Sequence, residues 1–150
     1  MQSAFDPATF AQMTFTEANS TRTIPIPAGD WPATCVKQEL KIWENRDKTA
    51  SGLKCVLTFE FTDPTLQEIT GRKKNLLTYE IMLDLTPENG LDFGKGANAR
   101  LGRAREAFGL YVPGQPFSFD MFVVREVMTN VAHREYEGNP IAEIKGLARL

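Results

Sequence analysis

The chain has little of what most enzymes and disulfide-built domains depend on. Its 150 residues include one histidine and two cysteines. His133 has no cysteine or second histidine near it, so it supplies no metal-ligand set and is expected as a structural or solvent-facing strand residue. Cys35 and Cys55 are too few for a disulfide framework. Each falls in a strand-like stretch, where a small buried hydrophobe is the expectation, the two able to face each other across the first hairpin without being bonded. No run of about 18 apolar residues is present, so no membrane span is expected. Residues 1–11 lack the basic region and apolar core of a signal peptide. A soluble cytoplasmic protein is therefore expected.

Catalytic sets are missing too. The carboxylates have no spacing that argues for a paired acid and base. No serine sits in a nucleophile elbow. Gly94-Lys95-Gly96 lacks the four-residue spacing and the Ser/Thr of a phosphate loop, so it reads as a flexible turn. The chain is not expected to be an enzyme, and no cofactor or catalytic or metal site is expected. Nor is it a polycation: 17 Lys and Arg against 19 Asp and Glu give a formal net charge of −2. Any nucleic-acid binding must come from a local patch.

What remains is a pattern of strands. Five strand-like stretches, 33–44, 52–61, 75–85, 120–135 and 140–150, surround one Arg-rich helical stretch at 98–109. Three strands, a helix, then two strands is the order of an OB-fold. The expected fold is all-β with one helix: a five-stranded OB-fold-like Greek-key barrel, the helix between strands 3 and 4. Residues 1–27 are read as an extended N-terminal arm and 28–150 as the OB-fold domain. The arm is polar, with Phe5, Phe10 and Phe15 scattered along it and Asp6-Pro7 able to start a short helix. It is expected to pack along the barrel wall. The alternative is docking on a neighbouring subunit, giving a homo-oligomer.

Alternation assigns faces. In the first strand Val36, Gln38, Leu40 and Ile42 share one side, and Cys35, Lys37, Glu39, Lys41 and Trp43 the other. Cys55, Leu57, Phe59 and Phe61 of the second are set against Lys54, Val56, Thr58 and Glu60. In the third, Leu77, Tyr79, Ile81, Leu83 and Leu85 are expected inward. The helix carries an apolar stripe of Leu101, Ala104 and Phe108, an Asn98 N-cap and a Gly109 stop.

Single strands of nucleic acid are held by cations along the backbone and by aromatic rings under the bases. Lys37, Lys41 and Trp43 lie on one expected face of the first strand, and Arg46, Lys48 and Lys54 extend the positive region around the first hairpin. Trp43 is read either as a base-stacking ring or as cover for a barrel end, and both readings stand. Tyr136 sits at the tip of the last hairpin, where an OB-fold has its second ligand-closing loop. Lys73 and Lys74, next to Arg72, form an acid-free cluster. Arg100 and Arg103 on the helix are read as binding ligand or bracing the barrel. The expected ligand is single-stranded DNA, bound without sequence preference.

Some stretches also resemble phage-encoded single-stranded DNA-binding proteins of OB type. They are Gly29-Asp30-Trp31-Pro32-Ala33 and Ser51-Gly52-Leu53, then Gly94-Lys95-Gly96-Ala97-Asn98-Ala99-Arg100-Leu101-Gly102-Arg103 with Glu106-Ala107-Phe108-Gly109. His133-Arg134-Glu135-Tyr136-Glu137-Gly138 and Ala142-Glu143-Ile144-Lys145 complete the set, which covers about 28–150. The resemblance implies a protein that coats single strands during phage DNA replication or recombination in the host cytoplasm, with phage replication or recombination proteins as partners. The chain departs from many such binders in its last residues, which carry no acid after Glu143. That puts tail-mediated recruitment, and cooperativity of the usual bacterial kind, in doubt. The competing reading is a phage structural or assembly protein that oligomerises through its N-terminal arm.

Overall fold

A computed structural model describes residues 5–150. The strands are β1 (Gly29–Glu44), β2 (Ser51–Phe61), β3 (Asn75–Met82), β4 (Glu126–Tyr136) and β5 (Asn139–Ala148). They form a single antiparallel sheet in the order β3-β2-β1-β4-β5. The two edge strands, β3 and β5, approach each other without forming a hydrogen-bonded ladder, so the sheet curls but is not closed. The expected barrel is therefore open along this seam.

Three helices are described rather than one: α1 (Pro7–Gln12), α2 (Pro64–Thr70) and α3 (Ala99–Ala107). The two extra ones start at Asp-Pro pairs. Asp6 and Asp63 accept from the Ala8 and Thr65 N–H groups, and the proline takes a first-turn position where its missing donor costs nothing. Gly71, at φ +73°, ends α2 in the left-handed conformation that glycine adopts most easily. The basic turn that follows is anchored from below. Buried Asn75 donates to the Arg72 carbonyl at 3.2 Å and accepts from the Thr70 hydroxyl at 3.0 Å.

The core lies on the inner face of the sheet. Cys35, Cys55, Leu57, Phe59, Phe61, Ile81 and Val127 have no exposed surface. α3 covers the open side with Leu101, Ala104 and Ala107, and contacts both edge strands. Phe108, just past α3, meets the ring of Phe122 edge-on at 4.7 Å. Burial pushes both thiols up, Cys35 to about 11 and Cys55 to about 12, the latter helped by the adjacent Cys35. Both are free and protonated at neutral pH.

Three local expectations are corrected. First, Cys35 does not share a face with Lys37. A bulge between Cys35 and Lys37 inserts Val36, and one extra residue exchanges the faces of everything before it. Cys35 thus turns into the core and shares its side of the strand with Gln38, Leu40 and Ile42, of which Leu40 and Ile42 run past the core and are exposed, while Lys37, Glu39, Lys41 and Trp43 take the other side. The backbone groups of Cys35 pair instead with Val124 N–H and Arg125 C=O, at 2.8 and 2.9 Å.

Second, the strand expected at 120–135 begins only at Glu126. Phe119–Phe122 is a 3-10 turn that drives Phe122 into the core, and Val124 takes φ +66° before the strand starts. A β-branched residue at positive φ is strained, by about 1–3 kcal/mol. Third, the strand expected to run to residue 85 ends at Met82, and Asn98, although it stands at the N-cap position of α3 as expected, makes no capping bond with its side chain. Its amide donates to the Asp84 and Asp92 carbonyls (2.8 and 2.9 Å), and its Oδ1 accepts from the Asp84 N–H at 2.8 Å. It ties the exit of β3 to the loop ahead of the helix.

Residues 5–24 lie outside the core, their side chains exposed. Ile26 is the first core residue, 2% exposed, and its carbonyl is held by His133 Nε2 at 2.7 Å. The described arm is therefore not packed along the barrel wall, as one reading had it, except at this root.

Candidate nucleic-acid interface

Cross-strand pairing builds the outer face row by row. Trp43 sits opposite Gly52; Lys41 is in line with Lys54 and Met82; Glu39 with Val56 and Glu80; Lys37 with Thr58 and Thr78. Directly opposed residues share a face, so these rows form one continuous surface. The sequence-derived set Lys37, Lys41, Trp43 and Lys54 is brought together here.

Trp43 is half-buried, and its indole lies against Gly52. A Cβ at Gly52 would come within 2.7 Å of Nε1 and 2.9 Å of two ring carbons, so the ring occupies the space a side chain would need. The indole N–H is buried there without a hydrogen-bond partner. The two readings of Trp43 are both partly met: one part of the ring packs on the strand and the rest faces solvent.

The lysines are not bare. Lys37 and Lys41 both pair with Glu39, the latter at 3.1 Å, and Lys54 pairs with Glu80 at 2.9 Å. The ammonium groups of Lys37 and Lys41, donating to it, hold the Glu39 carboxyl below its usual range. Val56, between the two glutamates, is buried despite its outward direction. Beyond Trp43 the β1–β2 loop carries Arg46 and Lys48, both exposed and without an ion pair among the described residues. That loop is ordered by Asn45, whose Oδ1 accepts from the Thr49 and Ala50 N–H groups at 2.8 and 3.1 Å.

Other nominated residues lie elsewhere. Lys73 and Lys74 precede Asn75, at the opposite end of β3 from Met82, roughly 25 Å along the strand from the Lys54 row. Arg100 braces the sheet edge: its guanidinium stacks on the Tyr79 ring at 4.3 Å and its Nε donates to the Glu80 carbonyl at 3.1 Å. Arg103 is exposed on the flank of α3. Tyr136 closes the β4–β5 hairpin through a two-residue turn, Glu137 and Gly138, both at positive φ. β4 pairs with β1 only from Gly29 to Thr34, so this hairpin leaves the sheet from the end away from Trp43.

A cleft of about 580 Å³ lies along the open seam, lined by Tyr79, Glu80, Met82, Arg100, Arg134 and Glu143 among others. Met82 joins it to the Lys54 row. Arg134, two residues before Tyr136 on the same face, joins it to the last hairpin. Arg134 pairs with Glu143 at 3.2 Å, as does Lys145 at 3.1 Å. Sequence reasoning passed over Arg134, although its two-residue spacing from Tyr136 puts both on one side of a strand.

No known family model matches the chain, and no curated protein matches it. No group of His, Cys, Asp or Glu that could hold a metal ion occurs among the described residues, and no described helix is long and apolar enough to cross a membrane.

Proposed function

We propose that the protein binds single-stranded DNA without sequence preference, on an OB-like curled sheet. The topology supports the fold reading. Joining the free edges of β5 and β3 in the order β3-β2-β1-β4-β5 gives the strand neighbours of a five-stranded Greek-key barrel, with α3 at its open side. The strand would run from Arg46 and Lys48 across Trp43 and along the Lys41–Lys54 row. It would continue past Arg100 and Arg134 in the seam to Tyr136. A part in phage DNA replication or recombination follows only from the resemblance of the quoted motifs.

The observation that carries the reading is Trp43 resting on Gly52, with Lys41 and Lys54 in the neighbouring row of the sheet and Arg46 and Lys48 in the loop beyond. An indole backed by the chain and open on its outer side is a stacking platform, and each stacked base is worth about 1–3 kcal/mol. The test is a fluorescence titration with oligo-dT. Binding should quench tryptophan emission, and the quench should vanish in Trp43→Phe, since Trp31 is packed against the core, partly buried, with its Nε1 donating to the Pro27 carbonyl at 2.9 Å. Trp43→Ala should weaken binding roughly tenfold. No binding at low salt, or binding indifferent to salt, would remove the proposal.

A second reading is self-assembly through the arm. It is favoured by the exposure of Phe10, Met13 and Phe15 in a segment that makes no core contact. A chain lacking residues 2–24 should then bind DNA normally but lose its oligomers.

A further inference from the structure

We propose that two copies of the chain pair through the free edge of β1, antiparallel about a two-fold axis at Leu40, and that the pairing joins their outer faces into one surface. The proposal depends on neither the arm nor DNA.

β1 outruns one of its neighbours. β2 follows it to Glu44, whereas β4 pairs with it only from Gly29 to Thr34. Cys35 makes the last backbone bonds on the β4 side, with Val124 and Arg125. Past the bulge the strand is an edge. The Asn45 N–H bonds the Ala50 carbonyl, which directs that residue toward β2, and backbone groups alternate along a strand. Glu39, Lys41 and Trp43 therefore direct their N–H and C=O toward β2, and Gln38, Leu40 and Ile42 direct theirs away from it. Nothing among the described residues bonds those outward groups. The side chains along the edge are bare as well: Leu40 is 45% exposed and Ile42 80%.

Such an edge is a template for another strand, and its own sequence fits a second copy. Only outward groups can bond outward groups, so a two-fold axis must fall on a residue, and the side chains decide which. On Glu39 or Lys41 it would oppose like charges. On Gln38 the ladder would run into Cys35, whose backbone is already bonded. On Ile42 it would set Leu40 against the partner's Glu44. On Leu40 each Glu39 meets the partner's Lys41, Leu40 meets the partner's Leu40, and Gln38 meets the partner's Ile42. The exposed pairs that Glu39 makes with Lys37 and Lys41 inside one strand are weak enough to exchange. Of the other charged residues near this edge, Glu44 and Arg125 flank the ladder, and Asp120 is held by Gln38 on the inner side.

The same register sets Trp43 opposite the partner's Lys37 on the outer face. Each copy thus adds a cation beside the other's indole, and the two indoles share one surface about 20 Å apart. The contact is isologous and closes as a dimer.

Sedimentation equilibrium without DNA tests this. The wild type should form concentration-dependent dimers. Leu40→Pro removes an N–H from the free edge alone and spares the β1–β2 ladder, so it should be monomeric, with a cooperative melt certifying its fold. Glu39→Lys and Lys41→Glu, each alone, oppose like charges twice and should weaken the dimer roughly tenfold. Their equimolar mixture should recover it, because the two exchanged charges then face each other. A wild type that stays monomeric would overturn the proposal. So would Leu40→Pro dimers as tight as the wild type's; if these vanish on removal of residues 2–24, the arm holds the copies instead. A mixture that associates no better than either variant alone would overturn the register. None of these outcomes touches single-strand binding, which the oligo-dT titration tests separately.

Discussion

The outer sheet face and the α3 flank hold their cations in opposite ways. On the sheet, Lys37, Lys41 and Lys54 are paired with Glu39 and Glu80. On the helix side, Arg100 and Arg105 are stacked on rings and donate to carbonyls, with no carboxylate partner. An exposed ion pair is weak and exchangeable, worth about 0–1 kcal/mol and screened by salt. A guanidinium on an aromatic ring is fixed in place while its charge remains uncompensated. The sheet lysines are thus able to change partner from glutamate to phosphate, whereas the helix arginines are already committed as structure. The difference shows two ways in which a chain with net charge −2 keeps cations at its surface.

Three substitutions break or sharpen this contrast. The largest effect is expected at Gly52→Val. The new side chain takes the space of the Trp43 indole, 2.7 Å from Nε1 at its Cβ alone. It should cost about 1–3 kcal/mol of stability and shift tryptophan emission, seen by thermal melting and fluorescence. A neutral result would show that the ring does not rest on the strand.

Arg105→Lys comes next. Lysine keeps the charge but loses the planar stack on Phe117 and Tyr111, so the variant should lose about 1 kcal/mol. The loss should persist in high salt. If it disappears with salt, Arg105 acts as a plain charge and the contrast fails.

Glu39→Gln is the smallest in stability, because the pair is exposed and screened by solvent. Its effect on DNA is clearer. Lys37 and Lys41 lose their shared partner, so affinity should rise, and the log–log salt slope should steepen by up to about 0.7 per phosphate newly contacted. The pH dependence follows from the lowered carboxyl of Glu39. A depressed folded value contributes stability above the unfolded carboxylate range, which is lost as pH falls through the folded value. The wild type and Glu39→Gln should therefore converge in melting temperature on acidification, and a gap that widens would contradict the pairing.

Much of the fold was legible in the sequence because alternation is a local signal. β1 to β3, the β4–β5 hairpin and α3 fall close to where their patterns place them. Where the reading slipped, distant contacts had overridden a local pattern. Val36 looks like an inward strand residue, yet it is the bulge, because Cys35 is drawn inward by the core and by its pairing with Val124 and Arg125. Residues 120–122 read as strand but coil to seat Phe122 against Phe108. Asn98 has cap chemistry and spends it on Asp84 and Asp92. One part of the site was visible and passed over: Glu39 sits between Lys37 and Lys41 at two-residue spacing, so all three share a face in any strand.

Composition and periodicity by themselves determined that this is a β-rich chain with an aromatic and basic first hairpin, because side-chain alternation needs only neighbours in sequence. The Asp-Pro pairs that start α1 and α2 are local signals of the same kind, since each acts within one turn, although only Asp6-Pro7 was read as a helix start. The tertiary structure alone decided that the sheet stays open between β3 and β5, that Gly52 gives its space to Trp43, that Lys54 meets Glu80, and that Arg100 stacks on Tyr79. Each of these depends on which residues, 9 to 50 or more positions apart, share one surface, and that is set by register and packing rather than by any local pattern.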